Sequence, residues 1–444
     1  MPLLPIPDPA IATAIFLVLV FVLFAAGMPI TFCLGGTAAL FALLFFTPPQ
    51  WFQIASSMYG STTKQILIAI PLFILMGGFI IYTGIAENMF KTMYLWAGPI
   101  RGALAMGTEL IGAVFGAMCG SSEATTLTLG TVAMPEMLKR GYKKDMVLGT
   151  IATAGLLGIL IPPTVLGIIY CAVTGTSVGL LYFGLFIPGF TLAFLYMGYI
   201  GIRCYFNPSL APALPKEQRA SWGEKLVSLK GIIVPVVIMV LILGGIYSGI
   251  VTPTEASGIG ALSMFIVALA RREMTWRAFR ESLLTSFKLS AMVVWIMMAI
   301  TLFSNVYHTM GASKLIQDLA LSLPVSGILV IIFMHLTVFV LGMIMDDVVV
   351  MMLVTPIYLP IVKALGFDPL WYGICFMILV NCAWLTPPYG FNLFLMKAIS
   401  PKGVTMSDIY KSVIPFIGLQ LVTLVLVMIF PQMALWLPRL IIAK

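Results

Sequence analysis

Gly120-Ser-Ser-Glu-Ala-Thr125, followed by Pro135, Gly141 and Leu160-Ile-Pro-Pro-Thr164, has a second version further along the chain. There Met345-Asp-Asp-Val-Val349 is followed by Pro360, Gly366 and Leu385-Thr-Pro-Pro-Tyr389. The differences 360 − 135, 366 − 141 and 387 − 162 are each 225. The same shift pairs Pro99 with Pro324, Gly102 with Gly327 and Gly35 with Gly260. A constant offset across these Gly and Pro positions marks an internal repeat. In both halves the apolar runs break at corresponding polar, Gly and Pro residues, the pattern of a binding site between two transporter repeats.

The 444 residues are 61% hydrophobic and 9% charged, with a mean hydropathy of +1.10. A soluble chain this apolar has too few polar groups to cover its surface. A transmembrane barrel needs short alternating segments, which are absent. The composition therefore implies an all-α polytopic membrane protein. Cys33, Cys119, Cys171, Cys204, Cys375 and Cys382 lie in or beside apolar runs without CxxC spacing, and read as packing thiols. The net charge of +8 reads as loop topology before it reads as an anionic partner, and no nucleic-acid partner is expected.

Apolar segments fall at 10–27, 29–47, 66–84, 100–119, 122–138, 146–160, 164–175, 179–202, 231–250, 254–270, 290–308, 325–344, 348–362, 370–385, 389–399 and 411–436. Several are shorter than the roughly 20 helical residues a ~30 Å hydrocarbon core requires. These short pieces surround the repeated motifs, so they read as halves of hairpins or of broken helices. Loop 203–230 holds Arg203, Lys216, Arg219, Lys225 and Lys230 against Glu217 and Glu224, and the loop after 270 holds Arg271, Arg272, Arg277, Arg280 and Lys288. The positive-inside rule makes both cytoplasmic. Tracing outward from them, Arg101 and Lys139–Lys144 are also inside. Segments 100–119 and 122–138 then form a re-entrant hairpin entering from the cytoplasm, and 325–344 with 348–362 dips in from the opposite face. Each hairpin precedes a helix broken at Pro-Pro, which defines an inverted-topology repeat.

The expected division is repeat one, 1–202, with arm 85–97, hairpin 100–138 and broken helix 146–175; a cytoplasmic loop, 203–230; and repeat two, 231–444. Repeat two holds arm 313–323, hairpin 325–362, broken helix 370–399 and a last helix 411–436. Both termini come out extracytoplasmic, and no basic stretch precedes the first apolar run to mark a cleaved signal peptide. Stretches 85–97, 276–289 and 313–323 are amphipathic and read as helices along a membrane interface. The first and third precede the hairpins, as horizontal arms or as plain linkers.

The chemistry gathers at the breaks. Gly120, Ser121, Ser122 and Thr125 at the first tip, with Pro162, Pro163 and Thr164 at the facing break, offer hydroxyls and freed carbonyls suited to Na⁺ or, through exposed N–H groups, to an anion. The alternative is that the hydroxyls only close a turn and pack helices. Asp346 and Asp347 stand in an apolar run, where an unpaired carboxylate costs several kcal/mol, so a functional role is the default. The alternative is a helix cap. Asn381, Thr386, Pro387, Pro388, Gly390 and Asn392 supply further oxygen donors around the second break, while Glu123 has no assigned role. No transition metal and no cofactor beyond Na⁺ are expected. Enzyme chemistry is disfavoured, because two neighbouring Asp diverge where an intramembrane protease needs a converging pair. No P-loop is present either. A single-component sodium/anion symporter and an ion channel stay open.

GSSEAT (120–125), MPEMLKRGY (134–142), GILIPPT (158–164), TPTEA (252–256), GMIMDDVVVMMLVTPIYLPIVKALGFDPLWYGI (342–374) and LTPPYGFNLF (385–394) resemble the large membrane subunit of tripartite ATP-independent periplasmic (TRAP) transporters. The resemblance covers nearly the whole chain. It implies an elevator-type secondary transporter of the bacterial or archaeal inner membrane, driven by a sodium gradient. It implies two partners, a small four-helix membrane subunit and a periplasmic binding protein that delivers a small organic anion, a carboxylate or sulfonate, with membrane lipid around the assembly. The length fits an unfused large subunit. The family carries a single Asp after Gly-Met-x-Met followed by hydroxyl residues, whereas Asp347 and Val348 stand there in this chain.

Overall fold

The computed structural model describes residue 4 and residues 8–98, 100–215, 219–388 and 390–442, Ile442 by its backbone alone. Pro99, Lys216, Glu217 and Tyr389, named above, lie outside the described residues. Every regular element among the described residues is helical. The first half runs α1 (Pro9–Ala25), α2 (Ile30–Phe45), α3 (Pro48–Thr62), α4 (Ala69–Ile81), α5 (Ile85–Ala97), α6 (Ala103–Cys119), α7 (Ser122–Lys139), α8 (Lys144–Leu160), α9 (Val165–Thr174) and α10 (Val178–Phe206). A short α11 (Trp222–Ser228) sits in the long loop. The second half runs α12 (Lys230–Tyr247), α13 (Pro253–Ala270), α14 (Trp276–Thr309), α15 (Ala312–Ser322), α16 (Gly327–Gly342), α17 (Asp347–Ala364), α18 (Pro369–Ala383), α19 (Phe391–Ile399), α20 (Met406–Ile429) and α21 (Gln432–Ile442).

Among the described residues seven helical segments are long and apolar enough to cross a membrane, eight if the pair bent by 46° at residues 63–64 counts as one span. The protein is thus a multi-pass membrane protein. Helices α6, α16 and α18 are apolar but have only 17, 16 and 15 residues. They are the short pieces the sequence places around the motifs. Each turn has a local cause. Gly120 adopts φ +62° between α6 and α7, a left-handed conformation that a side chain strains. Pro162–Pro163 and Pro387–Pro388 interrupt the amide ladder between α8 and α9 and between α18 and α19.

Broken helix α8–α9 is the centre of the molecule. The apolar stretch of Lys144–Thr174 is 94% buried, against 28% for α12, whose flanks are left to lipid. Both arms of the first hairpin, α6 and α7, pack on α8. They approach closely because Gly116 meets Gly158, where a Cβ would lie 2.6 Å from the Gly116 Cα. Contacts recur between corresponding elements of the two halves. Helix α13 packs on α4 as α2 packs on α14, α5 meets α12 as α15 meets α1, and α7 meets α19 as α17 meets α9.

Four features differ from the sequence expectation. The amphipathic stretch 276–289 is no separate interfacial helix. It opens α14, a continuous 34-residue helix, because no Gly or Pro interrupts residues 276–309. The last helix, expected over 411–436, is two helices parted at Phe430-Pro431, since Pro431 has no N–H to continue the ladder. Helix α3 escaped a search for apolar runs because Gln50, Gln53, Ser56, Ser57 and Ser61 dilute it. Its start is still encoded locally, where the Thr47 N–H donates to the Gln50 side chain at 2.7 Å. Helix α11, likewise, is set by Ser221, whose N–H donates to Glu224 at 2.7 Å. All six cysteines are buried and free.

Candidate functional site

The two hairpin tips meet. Gly120, Ser121, Ser122 and Glu123 from the first and Asp346, Asp347 and Val348 from the second line one cavity of about 80 Å³. Ile159, Val165 and Leu166 wall it from the first broken helix. Ile74 of α4 and Leu289, Met292 and Val293 of α14 close it from outside both hairpins. The space suits a few water-sized particles.

Each polar group there is placed by a helix start. Ser121 caps α7: its hydroxyl accepts the Ala124 N–H at 3.3 Å and donates to Glu123 Oε2 at 2.5 Å. Thr125, fully buried, donates to the Ser121 carbonyl at 2.8 Å and fixes the turn from below. Ser122 is buried and faces the same space. In the second tip the Val348 N–H donates to Asp346 Oδ1 at 3.0 Å and to Asp347 Oδ1 at 2.7 Å. The capping geometry is therefore present, and both carboxylates also line the cavity. Asp347 is only 7% exposed. Three carboxylates and no Lys, Arg or His line this space. Such a lining favours cations and disfavours a bare anion.

The other expected donors are elsewhere. Thr164 is fully buried beneath the tip. Its carbonyl accepts the Tyr182 hydroxyl at 3.1 Å and its own hydroxyl has no partner. Pro162 and Pro163 form the break itself and do not line the cavity. Asn381 and Asn392 stitch the second broken helix to the first. Their amide nitrogens donate to the carbonyls of Leu156 at 3.0 Å and Ala152 at 2.7 Å, both in α8. Gln420 completes Asn381 from α20 at 3.1 Å, while Asn392 Oδ1 is buried without a partner. Thr386 donates to the Cys382 carbonyl at 2.8 Å. Gly390 takes φ +47°, which lets α19 restart after Pro387 and Pro388. None of these residues reaches the shared cavity.

Two features went unread in the sequence. Glu109 is fully buried in the middle of α6. It accepts the Thr153 hydroxyl at 2.7 Å through Oε1, and its Oε2 has no partner. The rule that singled out Asp346, a carboxylate inside an apolar run, would have found it. The second is a cleft of about 340 Å³ between α3 and α14 on one side and α9 and α17 on the other. Lys64 and His308 line it among Ser61, Thr301, Ser304 and Asn305. Lys64 donates to the Ala172 carbonyl near the end of α9. No local pattern announces this cleft, because its walls come from four separate helices.

Residues 17–433 match the family model described as "Tripartite ATP-independent periplasmic transporter, DctM component". The chain belongs to the TRAP transporter large membrane subunits. It is 33% identical, over 91% of its length and 93% of the relative's, to the C4-dicarboxylate TRAP transporter large permease protein DctM of Pseudomonas aeruginosa. It is 30% identical, over 98% of its length and all of the relative's, to the ectoine/5-hydroxyectoine TRAP transporter large permease protein UehC of Ruegeria pomeroyi. Among solved structures the fold is similar to that of the Alcanivorax borkumensis YdaH transporter, with a TM-score of 0.62 over 96% of this chain and 98% of that one at 13% identity. This large subunit is accordingly a transporter permease and not an enzyme.

Proposed function

We propose that this large subunit carries out sodium-coupled uptake of a small organic anion, delivered by a periplasmic binding protein and accompanied by a small membrane subunit in the inner membrane. The observation that carries this reading is the shared cavity, where both hairpin tips meet the flanking helices α4 and α14. Hydroxyl, carboxylate and carbonyl oxygens are the hard donors sodium prefers. Ser122, Asp346 and Asp347 are the residues proposed to hold it. The cleft beside Lys64 is several times larger and is proposed to receive the anion. This separation accounts for an anion transporter whose tip cavity is lined by three carboxylates.

The contacts that recur between the halves support inverted-topology repeats, 1–202 and 231–444 around the loop 203–230. On this reading the hairpins with their broken helices move as a unit against a frame that includes α2, α4, α13 and α14, with both termini outside the cytoplasm. Arms α5 and α15 brace that motion. Uptake in proteoliposomes holding the complete three-part system tests the proposal. It should require a sodium gradient, saturate with substrate and depend strictly on the binding protein. Sodium currents without substrate or binding protein would instead mark a channel.

The acidic lining also favours a second reading, in which the substrate is a zwitterion whose cationic group sits at the tips. The ectoine relative makes this worth testing. Competition by amino-bearing carboxylates, but not by plain dicarboxylates, would select it.

A further inference from the structure

Away from the tips, the end of the first hairpin meets arm α5 and the 203–230 loop around a cavity of about 620 Å³. Tyr94, Glu136, Lys139 and Arg140 line it, and residues 212–215 form its floor. Arg140 is fixed from two sides. Its Nε donates to Glu136 at 3.0 Å, and its guanidinium carbon stacks 3.8 Å from the Tyr94 ring centroid. The side chain is 13% exposed, and Nη1 is buried with no hydrogen-bond partner. A planar donor fork held rigid at a cavity wall is the geometry that takes phosphate or carboxylate oxygens. Lys139 adds a second cation, so two positive groups face one carboxylate.

A second cavity of about 560 Å³ lies against the same arm. Lys91, Lys230 and Arg271 line it with Glu224. Glu224 is already satisfied: the Ser221 N–H and hydroxyl hold its carboxyl below the usual range, so it stays charged but tied to its own helix start. Trp96 and Trp222, both exposed, meet edge-to-face at 6.3 Å beside these basic groups. Cations and tryptophans together at the cytoplasmic end of membrane helices are the signature of contact with anionic headgroups.

We propose that the cavity between arm α5 and the end of hairpin one, lined by Tyr94, Lys139 and Arg140, binds a phosphate group, supplied by an anionic phospholipid of the cytoplasmic leaflet or by soluble phosphate. An occupant touches the arm and the hairpin at once, so its presence ties the two together. Only the sidedness rests on the proposed function; binding itself is measured without transport.

The test is the melting temperature of the full-length chain in neutral detergent, with phosphatidylglycerol, phosphatidylcholine or millimolar inorganic phosphate added. Phosphatidylglycerol should raise it by several degrees beyond phosphatidylcholine. The excess should fall to half or less in Lys139→Gln and vanish in Arg140→Gln. Should Arg140→Gln not fold, Arg140→Lys keeps the charge, loses the fork, and should still bind more weakly. A shift with inorganic phosphate that disappears in the same variants makes soluble phosphate the source. No such shift, with the phosphatidylglycerol effect intact, makes the lipid the source. Either result upholds the site. Equal shifts in wild type and variants, or no anion-specific shift at all, overturn it.

Discussion

At the residue scale the tip cavity sets up a comparison between neighbours. Asp346 and Asp347 accept the same N–H, that of Val348, so both have the geometry of a cap. Asn caps a helix about as well as Asp. Asp346→Asn is therefore expected to insert and fold normally and yet lose nearly all sodium-driven uptake, if its charge serves the ion. Wild-type sodium dependence in that protein would leave Asp346 as a cap only. Asp347→Asn, measured beside it, reports which neighbour carries the larger share. Ser122→Ala removes one of several proposed ligands. An unmet polar contact is worth about 1–3 kcal/mol, so the sodium concentration for half-maximal uptake should rise roughly tenfold with the maximal rate little changed. Lys64→Gln acts on the other cleft. It should raise the substrate concentration needed for half-maximal uptake and leave the sodium requirement alone; an unchanged substrate dependence would remove Lys64 from the anion path.

Helices meet here through glycine, and two of those contacts ask different questions. A Cβ at Gly158 would lie 2.6 Å from the Gly116 Cα, inside the packing of hairpin one on α8. Backbone cannot yield as a side chain can, so Gly158→Ala should cost about 1–3 kcal/mol of stability by overpacking, visible as a lower melting temperature in detergent. Gly77 lies on α4, and a Cβ there would come 2.7 Å from the Cys119 Cα, next to the first tip. If the hairpin travels along α4, Gly77→Ala should slow uptake more than it lowers the melting temperature. Equal effects on both would make this a static contact.

For the whole molecule, the arrangement that needs testing is which face each hairpin enters from. Single cysteines placed near Lys139–Lys144 should label only from the cytoplasm, and those near Phe367–Asp368 only from the periplasm. Both labelling from one side would remove the inverted repeat and, with it, the reading of the shared cavity as a carrier site between two repeats.

Composition and period settled a good deal before any contact was known. Apolar runs fixed the membrane class, and Gly120, Pro162–Pro163 and Pro387–Pro388 fixed where helices stop, because backbone conformation and missing N–H groups act locally. The offset of 225 residues pairs the pieces that the proposed repeat makes equivalent. The amphipathic start of α14 was misread, because amphipathicity reports the face a helix buries and not where the helix ends. What only the tertiary structure decided was which donors share a space. Asn381 and Asp346 are both candidate oxygen donors of the second half of the chain. Yet Asn381 is turned to the Leu156 carbonyl in α8, and Asp346 faces Ser121 and Glu123 across the tip cavity. Chain spacing carries no information about that choice, since it depends on how two helix pairs more than two hundred residues apart pack against one another.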